Sequence, residues 1–145
     1  MSDQLSELLG DRLAGIDPAV ADQQLNDRIG LTFVELTAER VVGTIPVAGN
    51  RQPYGLLHGG ANAVLAEALG SAVAALNAGP DRMTLGFELS CTHHRGVRDG
   101  IVTGVATPVH IGRGTITVEI VLTDDAGRRT CTARLSCIVR DQPAA

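Results

Sequence analysis

The sequence predicts an α+β fold: an antiparallel sheet wrapped around one long central helix. Three observations point there. The stretch 52–76, QPYGLLHGGANAVLAEALGSAVAAL, joins a glycine-rich turn to a helical pattern that meets no proline until Pro80. Two strand-like segments precede it and four follow, each rich in Val, Ile, Thr or Leu with partial alternation. The links between the last four are short and carry turn residues. Strands that follow one another with a single apolar helix among them form an α+β pattern.

In chain order, residues 1–15 read as a weak amphipathic helix or a frayed end. Asp17-Pro18 supplies an N-cap and a first helical residue for a short helix that runs from Ala19 to Arg28 and stops at Gly30. Residues 1–28 are therefore an N-terminal extension, 29–140 the sheet-and-helix domain, and 141–145 a tail. Residues 31–37 form a strand, 40–47 its hairpin partner, and 37–39 the turn. A loop follows over 48–54, with Gly49, Asn50 and Pro53 as turn formers. The later strands are expected over 83–92, 100–109, 115–123 and 130–139. Pro108 lies late in its strand and implies an edge or a bulge.

The helix begins at Gly59-Gly60, with Asn77 and Gly79 as its stop. Ala61, Val64, Leu65, Ala68, Leu69, Ala72 and Leu76 recur at i, i+3, i+4 and i+7 and mark the core face. A second face carries Gly60, Ala63, Glu67, Ser71 and Ala74. Its side chains are small apart from the acid, so another backbone or a ligand can approach closely. Glu67 and Ser71 are i, i+4 neighbours on that face. A lone helical glutamate is usually exposed, but the small apolar residues around Glu67 argue for a covered carboxylate.

Composition narrows the function. A chain of 145 residues suits one domain, and with aromatics at 2% its core must be aliphatic. No apolar run approaches the ~20 residues that span a bilayer. The N-terminus lacks a signal-peptide pattern, which makes a cytoplasmic protein the expectation. Net charge is −4, without the global basic field that nucleic acid requires. All twelve cations are arginine. An anionic ligand would need a local cluster, such as His93-His94-Arg95 with Arg98 nearby. Cys91, Cys131 and Cys137 are an odd set with no C-x-x-C pair, so they are expected as reduced thiols on strands. His58, His93, His94 and His110 lack zinc-ligand spacing with them, and no metal is expected.

The motifs resemble the hotdog-fold acyl-CoA thioesterases of the phenylacetate-pathway and 4-hydroxybenzoyl-CoA type. The resemblance runs through His58-Gly59-Gly60, then Leu65-Ala66-Glu67, then Gly70-Ser71. Within that family QPYGLLHGGA, ELSCTHHR, HIGRG and GRRTCTARL look most like the 1,4-dihydroxy-2-naphthoyl-CoA hydrolases and enterobactin-pathway proofreading thioesterases. It covers roughly residues 40–139. The resemblance implies a general base or nucleophile at Glu67 and a carbonyl-polarising N–H at Gly59. It implies Gln52 and His58 close to the reacting group, Ser71 assisting the acid or the water, and His93, His94 and Arg95 near the CoA moiety. No cofactor is implied beyond the CoA of the substrate. Tyr54 stands where Phe is expected.

Thioester hydrolysis needs a nucleophile at the carbonyl carbon and donors for the developing oxyanion. A helix N-terminus supplies free N–H groups. Glu67 lies eight residues beyond Gly59, about 12 Å along the axis. One helix cannot readily bring both to one carbonyl. The expectation is a site shared between two protomers of an obligate homodimer, doubling to a homotetramer. Two alternatives are a hotdog enoyl-CoA hydratase or dehydratase and a non-catalytic acyl-CoA-binding module.

Overall fold

The computed structural model describes residues 25–141. The expectations for residues 1–24 and for the last four residues fall outside them. The short helix α1 (Leu25–Arg28) leads through Gly30, at a positive φ of 70°, into the hairpin of β1 (Thr32–Leu36) and β2 (Val41–Pro46). The long helix α2 (Gly59–Ala78) follows. Then come β3 (Arg82–His93), β4 (Ile101–Ile111), β5 (Thr115–Thr123) and β6 (Arg129–Asp141). All the predicted strands are present, with ends displaced by at most two residues.

The six strands make one antiparallel sheet in the order β1-β2-β4-β5-β6-β3, and α2 packs across it. This is the hotdog fold that the resemblance implies. The β4–β5 register shifts between Pro108 and His110, as Pro108 predicts. The β2–β4 pairing has already ended at Ala106, so no ladder bond to β2 is lost there. β3, the longer of the two edges, pairs only with β6 among the described residues, and its register shifts between Gly86 and Glu88.

Alternation decides which side of the sheet meets the helix. On β5, Ile116, Val118, Ile120 and Leu122 are buried, while Thr117, Glu119 and Val121 point the other way. Leu65, Leu69 and Val73 of α2 are completely buried against that face. With so few aromatics, tight fit comes from glycine paired with leucine. A Cβ placed on Gly43 or Gly104 would lie 2.7 or 2.6 Å from a Leu69 methyl group. One on Gly70 would lie 2.7 Å from Leu135. Helix and sheet therefore approach closely, and the leucines occupy the vacated space.

Three details differ from expectation. Ala74 faces the core, not the second face, because the buried stripe is centred on Leu65, Ala66, Leu69, Gly70 and Val73. Val64 and Ala68 are correspondingly only half-buried. Asn77 does not end the helix. It lies in the last turn and donates to Ala38 O (2.7 Å) and Val73 O (2.9 Å), tying α2 to the β1–β2 turn. The stop is Gly79, at φ 86°, a conformation that disfavours other residues. Finally, α2 is itself long and apolar enough, by length and composition, to cross a bilayer, contrary to the absence of such a run expected from sequence. Here it is the core helix of the sheet.

Gly70→Val is expected to lower unfolding free energy by about 1–3 kcal/mol through overpacking against Leu135. Urea denaturation at fixed protein concentration measures it. An unchanged midpoint would mean that helix and sheet are not in firm contact at this point.

Candidate active site

Two groups of candidate site residues lie on α2, one at its start and one in its middle. The first is built by the preceding loop. Asn50 donates through Nδ2 to Ile29 O (2.7 Å) and Pro46 O (2.8 Å), and its carbonyl accepts from His58 N (2.8 Å). That clamp sets the entry of the chain into the helix. His58 is the N-cap, with extended backbone, and its Nδ1 accepts from Gly60 N at 2.8 Å. The neutral ring therefore carries its proton on Nε2, and the side chain is exposed rather than part of the core. Gly59 N–H meets no acceptor among the described residues, as an N-terminal amide can.

Gln52 sits in the same loop. Its Oε1 accepts from Tyr54 N at 2.5 Å, which leaves its NH2 as the free end. His93, at the end of β3, arrives from across the fold. A Cβ on Gly59 would lie 3.1 Å from His93 Nε2. The space left by the absent side chain of Gly59 is thus taken by the His93 ring, a reason for glycine that the sequence does not disclose. Asn62 Nδ2 meets His93 Nδ1 at 3.2 Å.

The predicted trio His93-His94-Arg95 separates in space. Alternation sends His94 to the opposite side, where Nε2 meets Thr132 Oγ1 at 2.9 Å. Arg95 is exposed and lines a cleft of about 440 Å³ with Arg98, Asp99, Asp125 and Arg128. Arg128 is already engaged by Asp124, at 2.7 Å.

The second group centres on Glu67. Its carboxylate leans on Gly86 of β3, where a Cβ would collide with Oε1, and the β3 register shift lies at this point. Burial pushes the carboxyl above its ordinary value near 4.5, and a hydrogen bond from Ser71 acts in the opposite direction. Cysteine thiols line the sheet beneath it as small, neutral neighbours. Burial pushes Cys137 up to about 11, with the Glu67 charge adding to the effect. Cys91 is half-buried, Cys131 is buried, and all three thiols are free as expected. Glu67 and Ser71 also line a largely apolar cavity of about 360 Å³ with Leu25, Val64, Ala68 and Leu89.

The sequence reading named Asn50 only as a turn former and did not single out Asn62 or Gly86. Asn62 had a signal: it is a polar residue in the first turn of an otherwise apolar helix. Gly86 had none, because the contact that requires it joins distant segments.

The raised Glu67 pKa has a stability consequence. The folded chain holds this proton more tightly than the unfolded chain, so stability falls as pH rises from about 4.5 through the raised value. Glu67→Gln cannot ionise. It is expected to unfold at higher urea than wild type near pH 8 and to converge with it on acidification. Equal midpoints near pH 8 would show that ionising Glu67 carries no burial penalty.

Comparison with known proteins agrees with this geometry. The family model described as Thioesterase superfamily matches residues 54–131. The chain is 44% identical over 116 residues to the proofreading thioesterase EntH of Cronobacter turicensis, covering 79% of this chain and 85% of that one. A mutant of thioesterase PA1618 from Pseudomonas aeruginosa superposes with a TM-score of 0.80 at 37% identity, over 86% of this chain and 91% of that one. Thioesterase HI1161 from Haemophilus influenzae superposes at 0.79 with 28% identity, over 85% and 87%. These matches favour hydrolysis over the hydratase and binding-module alternatives. The chain belongs to the thioesterase superfamily and is a thioester hydrolase.

Proposed function

We propose that the chain hydrolyses acyl-CoA thioesters to free acid and CoA, with aromatic or hydroxyaryl acyl groups preferred. The observation that carries this reading is Glu67, the one ionisable group among the described residues in the wall of a largely apolar cavity. As a carboxylate it takes a proton from a water that attacks the carbonyl carbon and displaces the CoA thiolate, or it attacks that carbon itself, expelling the thiolate to give an anhydride that water then opens to the free acid. The Gly59 N–H polarises the carbonyl and stabilises the oxyanion, a contribution of roughly 3 kcal/mol for one such donor. Gln52, with its NH2 free, and His58, with Nε2–H outward, supply further donors beside it. Ser71 steadies the carboxylate. Arg95, with Arg98 in the same cleft, offers cations for the CoA phosphates, and His93 flanks the approach at the helix start.

In this reading each site is shared. The two groups on one helix stand about 12 Å apart along the axis, so Glu67 of one protomer works with the helix N-terminus of its mate. The β3 edge supports a homodimer as the minimal unit. It is twelve residues long, pairs on one side only, and exposes Leu85 and Phe87 on either side of Gly86. The uncovered sheet face is the surface for a further doubling to a homotetramer.

Free-thiol release from a panel of aryl-, phenylacetyl- and alkyl-CoA esters tests the activity. Glu67→Ala and Glu67→Gln are expected to lose two or more orders of magnitude in kcat. The wild-type acid limb should fall above pH 4.5, because the active carboxylate titrates above its ordinary value. Wild-type rates in the Glu67 variants would remove that residue from the mechanism. A preference for alkyl esters would overturn the aromatic assignment.

The shared site has its own test. Glu67→Ala and Gly59→Val are each expected to be inactive alone. Co-expressed, they should regain about a quarter of wild-type activity, because half the dimers are mixed and each mixed dimer has one intact site. Mixed oligomers no more active than either parent would exclude sharing.

A further inference from the structure

We propose that Asn62 is a positioning residue that fixes the tautomer of His93, so that His93 Nε2–H becomes a donor beside the Gly59 amide. The inference rests on the acyl-thioester reading of the helix N-terminus, and adds a residue to it.

Three observations meet here. Asn62 is 5% exposed, on the first turn of α2. Its Nδ2 faces His93 Nδ1 at 3.2 Å. Its Oδ1 is buried with no hydrogen-bond partner among the described residues. With its Nδ2 toward the ring the amide donates, and Nδ1 is the acceptor. In the neutral imidazole the proton then sits on Nε2. Of the ring atoms, Nε2 is the nearest to the position a Cβ on Gly59 would take. The donor is thereby delivered to the same end of the helix as the unpaired Gly59 N–H.

A purely structural role fits Asn62 poorly. A buried carbonyl oxygen without a donor is destabilising, and an alanine or serine would avoid the problem. The side chain is in place for what its other end does. His58 obeys the same rule by a different route: the Gly60 amide takes its Nδ1 and leaves the proton on Nε2. Two imidazoles with the same tautomer therefore flank one backbone amide. Without Asn62, the His93 ring is free to rotate or to move its proton to Nδ1, which would turn a donor into an acceptor facing a substrate oxygen.

Long-range proton–nitrogen NMR spectra of the full chain, with His93 assigned through His93→Gln, read the tautomer directly. In its neutral state, wild-type His93 is expected as the Nε2–H form. Asn62→Ala should give a tautomer mixture, with a melting temperature unchanged or raised. Its kcat should fall about ten- to a hundredfold, with KM within a few-fold, the scale of a misplaced group. Asn62→Asp supplies only acceptors and should move the proton to Nδ1, with an equal or larger loss of kcat.

A wild-type His93 protonated on Nδ1 would overturn the proposal, as would an unchanged tautomer in Asn62→Ala or wild-type turnover in Asn62→Asp. If the wild type released no thiol from any CoA ester, the thioesterase site itself would fail, and the spectra alone would still decide the tautomer.

Discussion

The carboxylate of Glu67 can occupy its place only because β3 offers no side chain at Gly86. The helix contributes an acid among alanines, and the sheet contributes a gap of matching size. Burial raises the pKa of the carboxyl there, keeps the Cys137 thiol neutral, and leaves a largely apolar cavity on the acid's other flank. A charged group half-withdrawn from water is costly to keep. The fold tolerates it because Leu65, Leu69 and Val73 fix the helix on the sheet from the opposite side.

The start of the helix obeys a different constraint. Its amides are left unpaired by geometry alone, and the chain answers them unequally. His58 covers the Gly60 amide, while that of Gly59 stays open. Asn50 makes this reproducible, since one side chain joins the loop, the end of β2 and the backbone before β1. The exposed functional end of the helix therefore rests on a backbone network rather than on apolar packing.

Much of the fold was legible in the sequence because its signals are local. Glycine and proline punctuation, period-two alternation in β5, and an uninterrupted helical pattern each depend on neighbours in the chain. The strand order was not legible: β3 follows the helix yet pairs only with β6 at the far edge. The helix face was legible to within about one residue of rotation, which was enough to misplace Ala74, and the helix end was set two residues early at Asn77. The candidate residues His58, Gly59, Glu67 and Ser71 could be named from the sequence because a motif carries them. It was illegible where two distant segments meet, as Asn62 does with His93 and Glu67 does with Gly86. His94 and Arg95 looked equivalent to His93 in sequence, and only the pleat of β3 tells them apart.

The interval between Gly59 and Glu67 acts as a ruler cut into the backbone. One inserted residue would turn everything beyond it by about 100° and advance it by about 1.5 Å. The acid would swing off the notch in β3, and the leucine stripe would leave its sheet. These eight steps are held at both ends, by the loop clamp at the helix start and by the notch in β3.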